Sequence, residues 1–171
     1  MAKGFKYGGY IGQILRVNLS NKEISKEPLR EDWARDFVGG AGLAARIFYN
    51  EVKPKIDALG PDNKLVMMTG PVNGTMIPAA SRTALCAKSP YTGSFFHSIF
   101  GGYFGPELKF AGYDGLIVEG KAREPVYLWI DDDRVEIRSA DHLWGKNSFK
   151  AQEMIRNEIG DEEIHDAEAR P

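Results

Sequence analysis

Gly101-Gly102-Tyr103-Phe104-Gly105-Pro106-Glu107-Leu108-Lys109-Phe110-Ala111-Gly112-Tyr113-Asp114 holds a glycine pair, a short apolar-faced segment and a second glycine stop within one continuous run. Phe104, Leu108 and Ala111 fall on one face at helical spacing, so Tyr103 to Ala111 reads as a helix that the glycine pair opens. On both sides the pattern changes to strands. Upstream, Arg82 to Ala87 reads as a strand, Ser89-Pro90-Tyr91-Thr92-Gly93 as a turn, and a second strand lies around Ser94 to Ser98. Downstream, residues 115 to 119, 125 to 130 and 134 to 138 read as three strands, the last two joined by Asp131-Asp132-Asp133 as a hairpin loop.

Further out, residues 11 to 19 alternate, with Ile11, Gln13, Leu15, Val17 and Leu19 on one face. Asn21-Lys22 then turns the chain into an opening hairpin. Residues 30 to 38 place Trp33, Phe37 and Val38 on one helical face, and residues 43 to 51 do the same with Leu43, Ile47 and Phe48. Gly39-Gly40 between them reads as a C-cap and break. Lys64 to Met68 reads as a buried strand, and Gly70-Pro71 with Gly74 marks a turn. Asn147 or Ser148 caps a last helix carrying Ala151, Ile155 and Ile159. Strands and helices are interspersed without a regular βαβ alternation, which predicts an α+β fold. The expected organisation is a flexible N-terminus over 1–9, a domain over 10–160 and an acidic tail over 161–171.

Composition narrows the function. There are 22 basic and 24 acidic residues, a formal net charge of -2, so phosphate neutralisation along a nucleic acid is not expected. No apolar run approaches the roughly 20 residues of a membrane span, and no secretory h-region follows the N-terminus. A cytoplasmic protein is the expectation. The single cysteine, Cys86, excludes an internal disulfide and a cluster ligated by this chain's thiolates alone. The chain has 19 glycines, against roughly 12 at a usual ~7%, and the pairs Gly8-Gly9, Gly39-Gly40 and Gly101-Gly102 sit at element boundaries, where they permit close backbone approach.

Arg82 at the head of a strand and Gly101-Gly102 at the head of a helix suggest an anion site. Free N–H groups and a helix dipole favour negative charge, and a guanidinium adds a bidentate contact. By itself a Gly-Gly before a helix is more often plain chain geometry, and a lone arginine is usually a surface ion pair. His97, His142 and His165 have no metal-ligand spacing, although His97 lies near the glycine loop. Cys86 reads as a buried small hydrophobe, Asp131 to Asp133 as a solvated tip, and Lys88 and Tyr103 as packing or surface residues beside the site.

The order of segments adds to this. Gly12-Gln13-Ile14-Leu15-Arg16-Val17-Asn18-Leu19, Gly39-Gly40-Ala41-Gly42-Leu43, Leu59 to Leu65, Thr69-Gly70-Pro71, Lys88 to Gly93 and Gly101 to Asp114 follow one another. Glu119 to Ala122, Pro125 to Leu128 and Leu143-Trp144-Gly145-Lys146 complete the series. From about Tyr10 to Gly160 the chain thus resembles the N-terminal domain of the aldehyde ferredoxin oxidoreductase family. That resemblance implies two mostly antiparallel β-sheets that cradle a tungsten (or molybdenum) bis-pterin, the molybdopterin type of cofactor. Arg82, Ile99, Phe100, Gly101 and Gly102 are implied as its contacts, and the Ile99 backbone carbonyl as a ligand to a magnesium ion between the pterin phosphates. Where aldehyde-oxidising members carry asparagine, this chain has Ile99, followed by Phe100, which resembles the benzoyl-coenzyme A reductase subunits of the same superfamily. The implied reaction is oxidation of aldehydes to acids, with electrons passing through a [4Fe–4S] cluster to ferredoxin or another carrier. The cluster's cysteines would lie in further domains or a separate subunit, so the chain reads as a fragment, a split subunit or a truncated frame, inactive alone, with a homo-oligomer among the assemblies expected. The alternatives are a non-catalytic binding or assembly module and a subunit of an acyl-coenzyme A reductase.

Overall fold

The computed structural model describes residues 5–161. Twelve elements follow in the order β1 (Gln13–Asn18), β2 (Glu23–Pro28), α1 (Glu31–Phe37), α2 (Gly40–Glu51), β3 (Lys64–Thr69), β4 (Thr83–Lys88), β5 (Phe95–Phe100), α3 (Phe104–Phe110), β6 (Gly115–Glu119), β7 (Val126–Asp131), β8 (Arg134–Ser139) and α4 (Ser148–Ile159). Six strands form one sheet in the order β2-β1-β6-β3-β4-β5, and β7-β8 form a second. Only β1 and β6 run parallel; the other pairs are antiparallel. The fold is α+β, as the interspersed pattern predicts.

The large sheet is covered on both faces. On one, Leu43, Ala44 and Ile47 of α2 and Ala34 of α1 pack on Ile14, Val66, Met68, Cys86 and Ile117. On the other, Leu15, Val17 and Leu116 meet Leu108 of α3, Tyr113, and the inner residues Leu128, Ile130, Val135 and Ile137 of the small sheet. Alternation along β1 therefore marks two buried faces, not one buried and one wet. Phe5, Tyr7 and Tyr10 pack against the first core, so part of the stretch read as a flexible N-terminus is seated on it.

Two expectations shift and one alternative is decided. In α1 the inward residues are Ala34 and Trp33, whereas Phe37 and Val38 are exposed. Gly39-Gly40 does not cap α1. Val38 occupies that position at φ 61°, ψ -63°, with the Gly39 N–H donating to the Phe37 carbonyl at 2.7 Å, a γ-turn of the strained kind. Gly39 is instead the N-cap of α2. For the last helix the cap is Asn147, whose side chain accepts from the Lys150 N–H at 2.9 Å.

Two charged groups fix the layers. Arg16 makes paired bonds to Glu51 at the end of α2 and to Glu27 of β2, and reaches Glu119 of β6 at 3.1 Å. Lys64 of β3 joins Glu51 at 2.7 Å and Glu119 at 2.5 Å. Burial alone would raise the Glu51 and Glu119 carboxyls, but the hydrogen bonds from Arg16 and Lys64 outweigh it and hold both below the usual carboxylate value. Lys109 and Asp114, 6% and 1% exposed, pair at 2.9 Å, and Asp114 also accepts from the Ile11 and Gly12 N–H groups. Across the layers, Lys26 pairs with Asp133 and the Tyr113 hydroxyl donates to the Asp132 carbonyl at 3.0 Å, so the tip read as solvated is held to the large sheet.

Candidate anion-binding end of the sheet

β3 ends, β4 begins and β5 ends at one rim of the large sheet. Thr69 pairs with Thr83, and Thr83 with Phe100. One residue further, Gly70, Arg82 and Gly101 stand abreast. The exposed Arg82 side chain runs along Gly101: a Cβ built on that glycine would lie 3.9 Å from Arg82 Cδ and 4.0 Å from Nε. Arg82 forms no ion pair among the described residues.

The start of α2 stands over this rim. A Cβ on Gly39 would come within 2.9 Å of Gly70 Cα, and one on Gly40 within 3.8 Å of Ala84 Cβ. The Gly39 φ of 173° is ordinary extended backbone, so this glycine serves close approach, not an unusual dihedral. Alternation along β4 puts Arg82 on the same face as Ala84, beneath α2. The first turn of α2 has no acidic residue and no side-chain cap; the Gly42 N–H donates back to the Gly39 carbonyl at 3.2 Å, which leaves the Gly40 and Ala41 N–H groups and the positive dipole end of a 12-residue helix facing the rim.

The glycine pair does precede α3, as expected: Gly102 sits in a bend at φ 89°, Tyr103 is the N-cap, Ala111 the C-cap, and the seven-residue helix begins at Phe104. On the Arg82 face, the helix start nearest the rim is that of α2, which stands by Gly70 and Ala84 on either side of the Arg82 position. Ile99 and Phe100, both within β5, point to opposite faces. Ile99, 52% exposed, shares the Arg82 face opposite Ala84, whereas Phe100 turns away to pack on Phe104 at 5.6 Å between ring centroids. On the far face, residues of the 74–81 loop and of the 102–110 segment, among them Ser81, Tyr103 and Phe110, line a cleft of about 520 Å³.

Asn73 was missed in the sequence. It is 4% exposed, and its Nδ2 donates to the Arg82 carbonyl at 2.9 Å. The turn residues around it were legible; a side chain folded inward beneath the next strand was not.

The remaining candidates lie elsewhere. His97 is exposed on β5, His142 contacts Glu158 at 3.0 Å on the surface, and His165 lies outside the described residues. Lys88 donates to the Ile56 carbonyl at 2.6 Å, at the opposite end of β4. Cys86 is fully buried, and burial pushes its thiol up to about 11, the opposite of what a thiolate ligand needs. No group of three or more His, Cys, Asp or Glu among the described residues is placed to hold a metal ion. No helix among them is long and apolar enough to cross a membrane.

The family model for the aldehyde ferredoxin oxidoreductase N-terminal domain matches residues 14–168. The tungsten-containing aldehyde ferredoxin oxidoreductase of Thermococcus kodakarensis is 46% identical over 165 residues, covering 96% of this chain and 27% of that protein. The WOR-like subunit of an aliphatic sulfonate oxidoreductase from Pyrococcus furiosus is 37% identical over 156 residues, covering 90% and 25%. A solved BamBC active-site complex of benzoyl coenzyme A reductase with 1,5-dienoyl-CoA superposes with a TM-score of 0.89 at 35% identity, covering 91% of this chain and 24% of that one. The chain thus spans about a quarter of the length of these relatives.

Proposed function

This chain belongs to the aldehyde ferredoxin oxidoreductase N-terminal domain family, and from that premise we propose that residues 10–160 are the cofactor-cradling domain of a tungsten-pterin oxidoreductase, with 161–171 as a tail. The observation that carries the reading is the convergence of Arg82 with Gly39-Gly40, Gly70 and Gly101 at one rim of the sheet. An unpaired guanidinium beside an uncapped helix start suits the phosphates of a pterin, and side-chain-free walls let a flat ligand approach the backbone. The residues present fit the organic part of such a cofactor. Bound there, the pterin would bring a tungsten centre able to change oxidation state. Arg82 and the α2 start would hold and orient it, and Ile99 on the same face would exclude water. With no carboxylate cluster at the rim, a magnesium ion would find backbone carbonyls as its protein ligands, Ile99 among the candidates.

A [4Fe–4S] cluster does not fit this chain: its one thiol is buried and held protonated. The cluster ligands, the substrate pocket and the contact with ferredoxin or another carrier belong to the remaining length of such an enzyme or to a partner, and this chain alone is inactive. Aldehyde oxidation is the reading that the tungsten-containing relatives favour. A second reading, an acyl-coenzyme A reductase subunit, is favoured by Ile99-Phe100 and by the 0.89 superposition. Purification of the chain with its native associates, followed by tungsten and pterin analysis, tests the proposal. Retention in wild type and loss in Arg82→Ala supports it. A folded, fully associated protein without tungsten or pterin leaves a non-catalytic assembly module.

A further inference from the structure

We propose that Asn73 is a positioning residue that aims Arg82, an inference that rests on the anion-binding reading of the rim. Arg82 precedes the β4 ladder, so strand pairing alone does not fix its backbone. The Asn73 side chain supplies that constraint, donating from Nδ2 to the Arg82 carbonyl at 2.9 Å. Asn73 is in turn held on three sides. Its own N–H donates to the Gly70 carbonyl at 3.1 Å, closing the turn after β3. Its amide lies under Gly105 in the first turn of α3, where a Cβ would come within 2.7 Å of Nδ2 and 2.3 Å of Thr83 Oγ1. At 4% exposure it has no room to swing aside.

The orientation of the amide is also fixed. Turning it over would set Oδ1 against the Arg82 carbonyl, two acceptors face to face. The cost of the observed orientation is visible: Asn73 Oδ1 and Thr83 Oγ1 are buried without a hydrogen-bond partner in the protein. A buried amide that leaves its own oxygen unpaired while its nitrogen serves one carbonyl is placed for that carbonyl. Asn73 sits on the α3 side of the sheet and the Arg82 side chain on the α2 side, so Asn73 acts on the anion through Arg82 and does not touch it.

The test uses the full 171-residue chain and two readouts: the NMR order of the Arg82 Nε–H group, and its shift on titration with inorganic phosphate. Asn73→Ala, and the nearly isosteric Asn73→Asp in case the first fails to fold, should loosen the Arg82 signal and weaken phosphate by about fivefold or more, as loss of one hydrogen bond allows. Thr83→Val, which removes the neighbouring unpaired hydroxyl without touching the Arg82 carbonyl, should leave both readouts at wild-type values. If folded Asn73 variants keep Arg82 as ordered as in wild type, the positioning role is overturned while phosphate binding by wild type still stands. Equal loosening in Thr83→Val would overturn it too, because general disturbance of the cluster would then suffice. An Arg82 signal that loosens in the Asn73 variants, with no phosphate response in wild type, supports the positioning and sinks the anion reading instead.

Discussion

At the scale of single residues, two positions carry backbone demands that a substitution can expose. Gly105 is pressed against Thr83 and Asn73 so closely that Gly105→Ala forces α3 or β4 to shift, and a loss of about 1–3 kcal/mol is expected in denaturant unfolding. Val38 presents the opposite case, a β-branched residue at φ 61°. Val38→Gly would cost about 1 kcal/mol in ordinary backbone, but here it relieves strain of similar size, so stability should hold or rise by up to about 1 kcal/mol. A clear drop in the unfolding midpoint would mean that the Val38 side chain contributes more than its exposure suggests. Arg82 was legible as a site candidate only through the ordered series of family-like segments around it, since an arginine at a strand head is by itself usually a surface ion pair. Which helix it meets was not legible, since α2 is brought to the rim by sheet topology and not by neighbourhood in sequence.

At the scale of elements, the Arg16–Glu51–Lys64–Glu119 group ties α2 to three strands, and its titration sets a pH dependence. Glu51 and Glu119 have folded values below the usual 4.5. Their contribution to stability is therefore present above that value and is lost as pH falls through the lowered one. Lys64 is raised above 10.5, where burial would lower it and the bonds to Glu119 and Glu51 prevail; its share is complete below 10.5 and fades as pH rises past the raised value. Denaturant unfolding of Glu51→Gln should be weaker by about 1–3 kcal/mol at neutral pH, and less sensitive than wild type to acid below pH 4.5. A mutant curve parallel to that of wild type would show that this group contributes little. Element types were largely readable, because helical spacing and alternation are local. The second buried face of β1 was not: Ile14 between Gln13 and Leu15 looks like an interruption until α1 and α2 are laid over it.

At the scale of the whole molecule, β5 forms an outer edge of the large sheet, and Phe95, Phe96 and Ile99 on it are exposed. Such an edge favours pairing with another chain. The apparent mass in light scattering is expected to rise with concentration, and Phe96→Lys should lower it; a mass independent of concentration would count against association through this edge. Elemental analysis of the same material should find no stoichiometric iron, since one protonated thiol cannot hold a cluster. The parallel pair of β1 with β6 has a further consequence, in the order of events during synthesis. Ile14 to Asn18 pair with Gly115 to Glu119, so β1 must wait for about a hundred residues to be made, on the order of 5–20 s at usual elongation rates. Meanwhile only β2 is available to it. The nascent chain therefore carries an unfinished hairpin whose Leu15–Val17 face stays wet until α3 and the small sheet are made, even after α1 and α2 can cover Ile14, and a chaperone that holds apolar segments finds a substrate in that face. Non-local closure also makes refolding slow for a chain of this size.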